Sequence, residues 1–294
     1  MKPIGPEAFG RLLVDLRPKL HSYCARMTGS VIDGEDVVQE TLEQAWEAFS
    51  RGGPILDPEA WLMRVAHNRA VSFIRARARR RATFLEGEAD IMSDPANGPD
   101  ARLATAATLR TLMELPASQR ACVVLMDVLG YSLAEIGEIT GATIAAIKAD
   151  LHRGRHHLRD LAERPTPAPI RSLGEPERSR LALYVDRFNA RDFDAVRDML
   201  ADDVELELVN SVRRRGRQQV GTYFENYLRR PEWVLRPGFV DGVPALLVMD
   251  LDRPSEGPCN FIVLTWLDHR VGHIRDFAHA SYAIASAQIL VAGP

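Results

Sequence analysis

The sequence predicts a multidomain chain: two all-α modules, the second with a helix-turn-helix, followed by an α+β domain built on a mostly antiparallel, curved sheet. Three observations predict it. A capped helix, a glycine turn and a basic second helix succeed one another between Ser132 and Leu161. An acidic amphipathic helix and an arginine-rich helix precede them. After a proline-rich stretch the apolar residues pass from helical spacing to the alternation of strands. The implied boundaries are helical modules over 1–81 and 102–162, linkers over 82–101 and 163–177, and the α+β domain over 178–294.

In chain order, Phe9, Leu12, Leu13 and Leu16 mark a first amphipathic helix, which Leu20, Tyr23 and Met27 continue beyond Pro18. Asp33, Gly34 and Glu35 introduce a second. On it Val38, Leu42, Ala45 and Phe49 form an apolar stripe, with Asp36, Glu40, Glu43 and Glu47 as an acidic stripe on the far side. An acidic stripe without interleaved lysines is either a solvated face or a dock for a basic partner.

The string RGGPILDP breaks the chain. In the helix after it, Trp61, Leu62, Val65, Val71 and Ile74 are apolar anchors among Arg64, Arg69, Arg75, Arg77, Arg79, Arg80 and Arg81. Arginines beside an aromatic ring suit phosphate contacts and stacking on an opened base. The alternative is a Trp61 that simply packs in the core. From about Ala82 to Ala101 acidic residues mix with proline, glycine and asparagine, a composition that cannot bury enough apolar surface to order itself.

A helix resumes near Leu103, and Pro116 starts another with Cys122, Leu125, Met126 and Leu129 inward and Gly130 as its stop. Ser132 and Glu135 then form a capping box, Gly141 ends that helix, and Thr143 is placed to cap the next. In the second helix Ile147, Leu151 and Leu158 make the buried stripe. Ala145, Ala149, His152, Arg153 and His156 lie opposite, flanked by Lys148 and Arg155. Small residues would let the backbone approach base edges while the cations meet phosphates. Any small helical bundle can carry such a pattern, so the motif alone leaves DNA binding open.

Composition narrows the classes. At 294 residues with 46% hydrophobic content the chain can bury more than one core. A net charge of -3 excludes a uniformly basic nucleic-acid coat but leaves room for local basic surfaces. Cys24, Cys122 and Cys259 lie far apart, so neither a disulfide framework nor a structural zinc is expected, and a reducing cytoplasm is. The start, MKPIGPEAFGRLL, lacks a long apolar core and no later run is long enough to span a bilayer, so a soluble chain without membrane contact is expected.

The strings DGEDVVQETLEQAWEAF, AWLMRVAHNRAVSFIRARARRR, LPASQRACVVLMDVLGYSLAEIGEITG and AAIKADLHRGRHHL, in this order, resemble a bacterial sigma factor of the extracytoplasmic-function type over nearly all of residues 8 to 161. The resemblance implies that Asp36, Gln39, Glu40 and Glu43 dock on core RNA polymerase. It implies that the Arg51 to Pro58 loop and Trp61, Arg64, Asn68, Arg69, Arg75, Arg77, Arg79 and Arg80 recognise and open the −10 promoter element. The −35 element would be read by Thr143, Ala145, Lys148, Ala149, His152, Arg153 and Arg155. Two separate small modules, coupled by the acidic linker, would each grip one element of promoter DNA.

Beyond the proline-rich segment, Leu181, Tyr184, Val185 and Phe188 share a helical face, FDAVRDML adds a short helix, and VELELV, ALLVMDL and FIVLTWL signal strands. LALYVDRFNARDFDAVRDMLADDVELEL with VLTWLDHRVGHIRDF resembles the SnoaL-like branch of the nuclear-transport-factor cone fold. In sigma factors such a tail implies a built-in regulator that contacts the sigma modules. It departs from the best-known fused group at TPAPIRSL and NSVRRRGRQ.

An enzyme in the tail is the alternative. His273 and His279 share strand parity with Arg275 and Phe277, with Asp268 or Asp276 near in sequence, and a metal site of His269, His273 and His279 can be drawn. Neither spacing is a signature. No catalysis, cofactor or metal is expected, and Arg213 to Arg217 reads as a solvated hairpin or a contact surface.

Overall fold

Helix α1 (Pro6–Thr28) passes through Pro18 without ending, because Phe9, Leu13, Leu20, Tyr23 and Met27 on either side of it are buried in one core. Gly29, in the left-handed region at φ 78, ends it. Ser30 then caps α2 (Val31–Ser50) by accepting from the amides of Ile32 and Asp33. Asp33, Gly34 and Glu35 therefore lie inside α2 rather than ahead of it. Gly34 is there for packing: a Cβ would stand 2.6 Å from the backbone nitrogen of Ala25, so α1 and α2 meet backbone to backbone. The arginine-rich helix is α3 (Pro58–Ala82).

This computed structural model describes residues 5–52, 57–82, 108–163 and 174–292. The acidic linker after Ala82, the helix start expected near Leu103, half of the Arg51 to Pro58 loop and most of the proline-rich linker lie outside the described residues. The chain divides into two compact units, Met1–Thr166 and Pro167–Pro294.

Within the first unit the two helical modules do not stand apart. Helices α4 (Leu109–Met113) and α5 (Ala117–Val123), the latter extended by a π turn over Val124–Val128, pack against α1. Helix α6 (Leu133–Thr140) packs against α3, and α7 (Ile144–Ala162) against α5. One apolar cluster runs through all of them, from Phe9 and Leu62 to Leu112, Val123, Ile136 and Leu151. Arg120, 4% exposed, ties the halves together by donating to the carbonyls of Met27 and Leu115. Periodicity marked each inward stripe correctly but carried no information about which stripes face each other.

The second unit opens with α8 (Glu175–Asn189), whose Leu181, Tyr184, Val185 and Phe188 are all buried, and α9 (Phe193–Asp198). Seven strands follow: β1 (Leu200–Leu208), β2 (Arg213–Arg215), β3 (Trp233–Val240), β4 (Val243–Asp250), β5 (Pro258–Leu267), β6 (Arg270–Asp276) and β7 (Ile289–Val291). Their order is β2-β1-β6-β5-β4-β3-β7, antiparallel throughout except for β1 beside β6. Register shifts at Val248/Met249 and Thr265/Trp266 bend the sheet around the helices. The fold class expected from the sequence, helical modules and then an α+β domain, is the one observed. Arg213, Arg214 and Arg215 form an exposed edge strand, where charge discourages further strand pairing.

Candidate nucleic-acid and polymerase interface

The apolar stripe of α2 turns Val38, Leu42 and Ala45 into the core, which leaves Asp36, Glu40, Glu43 and Glu47 exposed as one acidic face. Gln39 is half-buried at its edge. Its side-chain oxygen accepts from Arg17 at 3.1 Å and its amide donates to Glu43 at 2.9 Å. Arg17 is itself buried against Glu35. A buried arginine thus fixes the orientation of an amide at the edge of the acidic face, a relationship between α1 and α2 that spacing along one helix cannot reveal.

On α3, Arg64, Asn68, Arg75 and Arg79 are exposed and fall within an arc of about 60°, with Trp61 at its head. Trp61 is half-buried, one side of its ring packed against the core. Arg80 is exposed further round the helix. Arg69 and Arg77 point elsewhere. Arg69 donates to Gln44 at 3.1 Å and pairs with Glu40 at 3.4 Å, while Arg77 pairs with Asp33 at 2.6 Å. Ion pairs therefore join α2 to the arginine helix.

Two buried rings stiffen this half. His21 donates from Nε2 to the Val31 carbonyl at 2.9 Å, and His67 meets the Tyr23 hydroxyl at 2.7 Å. Burial pushes both imidazoles down to about 4, so both are neutral near pH 7.

The helix-turn-helix forms as its sequence signals require. Ser132 and Glu135 make the reciprocal capping box, Gly141 sits at φ 74, and Thr143 caps α7 by accepting from Ala146. Gly154 lets α7 approach α5 closely, since a Cβ there would meet Val123 at 2.8 Å. Thr143, Ala145 and Lys148 are exposed, Ala149 and His152 partly so. Arg153 is exposed and pairs with Asp150 at 2.7 Å. Arg155 is engaged within the fold: two of its nitrogens donate to Asp127, whose side chain is 1% exposed, which anchors α7 to the π turn.

Between the two modules Lys19, Glu59 and Tyr131 meet, a cluster that no spacing or pattern along the chain announces. The Lys19 ammonium and the Tyr131 hydroxyl both donate to Oε1 of Glu59, at 2.5 and 3.0 Å, and Lys19 lies 4.2 Å from the centre of the Tyr131 ring. Each of these residues reads alone as ordinary surface chemistry; only their convergence marks a joint.

In the second unit His273 stands on the same side of β6 as Arg275, 4.0 Å from Glu207, and His279 lies beyond the end of the strand. They do not meet. The interior group is Asp276, 1% exposed, whose Oδ2 accepts from Tyr223 and Tyr227 at 2.7 and 2.9 Å and whose Oδ1 accepts from Asn260 and the Ala278 amide. The two phenols are 3.0 Å apart. Among the described residues no group of three or more His, Cys, Asp or Glu could hold a metal, and no helix is long and apolar enough to cross a membrane.

Comparison with known proteins gives these surfaces a context. Residues 12–80 match Sigma-70 region 2, and residues 105–158 match Sigma-70 region 4. The chain is 30% identical over 222 residues to the ECF RNA polymerase sigma factor SigG of Mycobacterium tuberculosis, covering 65% of this chain and 59% of that protein. It thus spans less than two thirds of that relative's length. It is 34% identical to the ECF RNA polymerase sigma factor SigF of Caulobacter vibrioides over 155 residues, 53% of this chain and 83% of that one. A solved SnoaL-like protein of unknown function from Burkholderia thailandensis is 24% identical over 36% of this chain and 97% of its own, with a TM-score of 0.29. With both sigma segments in order and a 34% identical relative matched over most of its length, the chain belongs to the extracytoplasmic-function family of RNA polymerase sigma factors.

Proposed function

We propose that this chain is a cytoplasmic promoter-recognition subunit. It docks on core RNA polymerase through the acidic face of α2, opens the −10 element along the Trp61, Arg64, Asn68, Arg75 and Arg79 face of α3, and reads the −35 element with α7. Bond-making chemistry stays with the polymerase, and the C-terminal unit modulates activity in cis. The observation that carries this is the α3 face: an aromatic at its head, then cations and an amide on one line, in the segment matched to Sigma-70 region 2.

The shared core of the two modules implies a rearrangement. The −10 and −35 elements lie about 25 base pairs apart, roughly 85 Å of duplex, which two modules packed on one another do not span. Polymerase binding must replace the contacts around Glu59 and Arg120 with its own. In vitro transcription with core polymerase tests the assignment, comparing the full chain with one ending near residue 165. The expected result is promoter-specific RNA that depends on added chain and changes in rate when the tail is removed. A chain that neither associates with core polymerase nor alters where RNA begins overturns it.

A further inference from the structure

The outward surface at the start of α7 is chemically simple. Ile144 is 49% exposed although it is the first residue of the helix and a large aliphatic. Its neighbours Ala145 and Ala146 are exposed too, and the Thr143 hydroxyl oxygen is occupied by the Ala146 amide. One turn on, at i+4 from Ile144 and so on the same face, stands Lys148, exposed and without a hydrogen bond or ion pair among the described residues. The charges further along are engaged: Arg153 with Asp150, Arg155 with Asp127, His156 with Asp160. No asparagine, glutamine or arginine occupies the first two turns, so of the side chains that read purines by paired hydrogen bonds only Lys148 stands at the end of the helix that would enter a groove.

Exposure of Ile144 is not slack in the fold. The Arg155 to Asp127 pair and the close approach at Gly154 hold α7 rigidly on α5, and Ile136, Ile139 and Ile147 fill the space beneath it. A side chain of four apolar carbons held rigidly in water gains by meeting an apolar surface. On the major-groove edge of DNA the one apolar group is the thymine 5-methyl.

Resting on the assignment of α7 as the −35 helix, we propose that this chain reads its −35 element mainly through thymine methyl groups packed on Ile144 and Ala145, with Lys148 donating to an adjacent guanine. Specificity then comes from methyl contacts and one point charge, so it tolerates changes that keep the methyl and fails when the methyl alone is removed.

The test uses the full chain with core polymerase. Duplexes bound by this holoenzyme are selected from a library randomised across the −35 region, and the enriched duplex is remade with each thymine in turn replaced by uracil, which lacks only the methyl. Wild-type holoenzyme should lose about three- to fivefold in affinity at one or two thymines, the effect of burying one methyl. Ile144→Ala should be weaker on the parent duplex and indifferent to uracil at one of those positions, with Ile144→Val in between. Replacing the neighbouring guanine by 7-deazaguanine should weaken wild type and leave Lys148→Ala unchanged. Uracil that is silent at every thymine, or an Ile144→Ala chain as sensitive as wild type, overturns the proposal while leaving α7 as the −35 helix. A library that enriches no −35 sequence overturns both.

Discussion

The hydroxyl of Tyr131, at the entrance to α6, donates to Oε1 of Glu59 at the head of α3, 3.0 Å away and 72 residues distant in sequence. Glu59 lies two residues before Trp61, so the segment matched to Sigma-70 region 4 is joined to the head of the arginine-rich helix. Lys19 completes the joint from α1. Removing one partner exposes the others to water and loosens the modules.

Tyr131→Phe should therefore cost about 1–2 kcal/mol of unfolding free energy. It should also raise binding of the free chain to a −10/−35 duplex several-fold, because opening becomes easier. Urea unfolding and a gel shift without polymerase measure the two effects. Unchanged core-independent binding would mean that Glu59 and Tyr131 do not restrain the modules.

With α2 as the proposed docking face and α3 as the proposed DNA face, the ion pairs across α2 and α3 should couple the two events. Glu40 holds Arg69 at 3.4 Å in the free chain, with both side chains largely exposed, so the pair is worth at most about 1 kcal/mol. A basic partner on α2 takes Glu40 and frees Arg69. Arg69→Gln should flatten the dependence of log K on log salt by about 0.7–0.9 in the holoenzyme and leave the free chain nearly unaffected. Equal flattening in both states would separate Arg69 from docking.

His21 and His67 set the acid limit of the first unit. Both folded values are lowered to about 4 from an ordinary 6.5, so the unfolded chain binds more protons between those limits. Their contribution is full above about pH 6.5 and declines as pH falls, by up to about 3 kcal/mol for each ring. Urea unfolding followed by helical circular dichroism from pH 7 to 4 should show this slope, and His67→Gln should remove part of it.

Asp276 acts with the opposite sign in the second unit. Its oxygen and the hydroxyls of Tyr223 and Tyr227 form a triangle with sides of 2.7, 2.9 and 3.0 Å. With Asp276 ionised, only the two phenol protons are available for the three sides; a neutral carboxyl adds the third. Burial raises Asp276 above its ordinary value, in keeping with the neutral form. The folded chain then holds a proton that the unfolded chain has released, so stability falls as pH rises from the ordinary aspartate range through the raised value. Asp276→Asn should keep the fold and abolish that slope, whereas Asp276→Leu removes the shared acceptor of Tyr223, Tyr227, Asn260 and the Ala278 amide and should cost about 3 kcal/mol or more. Hydrogen-exchange protection of β5 and β6 against pH distinguishes the variants.

What the sequence determined by itself was everything encoded within about four residues of a position: the capping box at Ser132, the stop at Gly141, the buried stripes Val38–Leu42–Ala45 and Ile147–Leu151–Leu158, and the acidic and arginine faces opposite them. These follow from the 3.6-residue period and from backbone groups that must find local partners. Only the tertiary structure decided which charges remain free. Arg155, Arg69 and Arg77 look alike in sequence to Arg64 and Arg75, but Asp127, Glu40 and Asp33 reach them from other helices. It also decided that Gly34 serves close packing rather than a turn, and that Asp276 rather than a histidine occupies the interior of the second unit. The reason is physical. Apolar period depends on one element alone, whereas the partner of a charge or a buried carboxyl depends on the distance between elements, which no spacing along one chain segment contains.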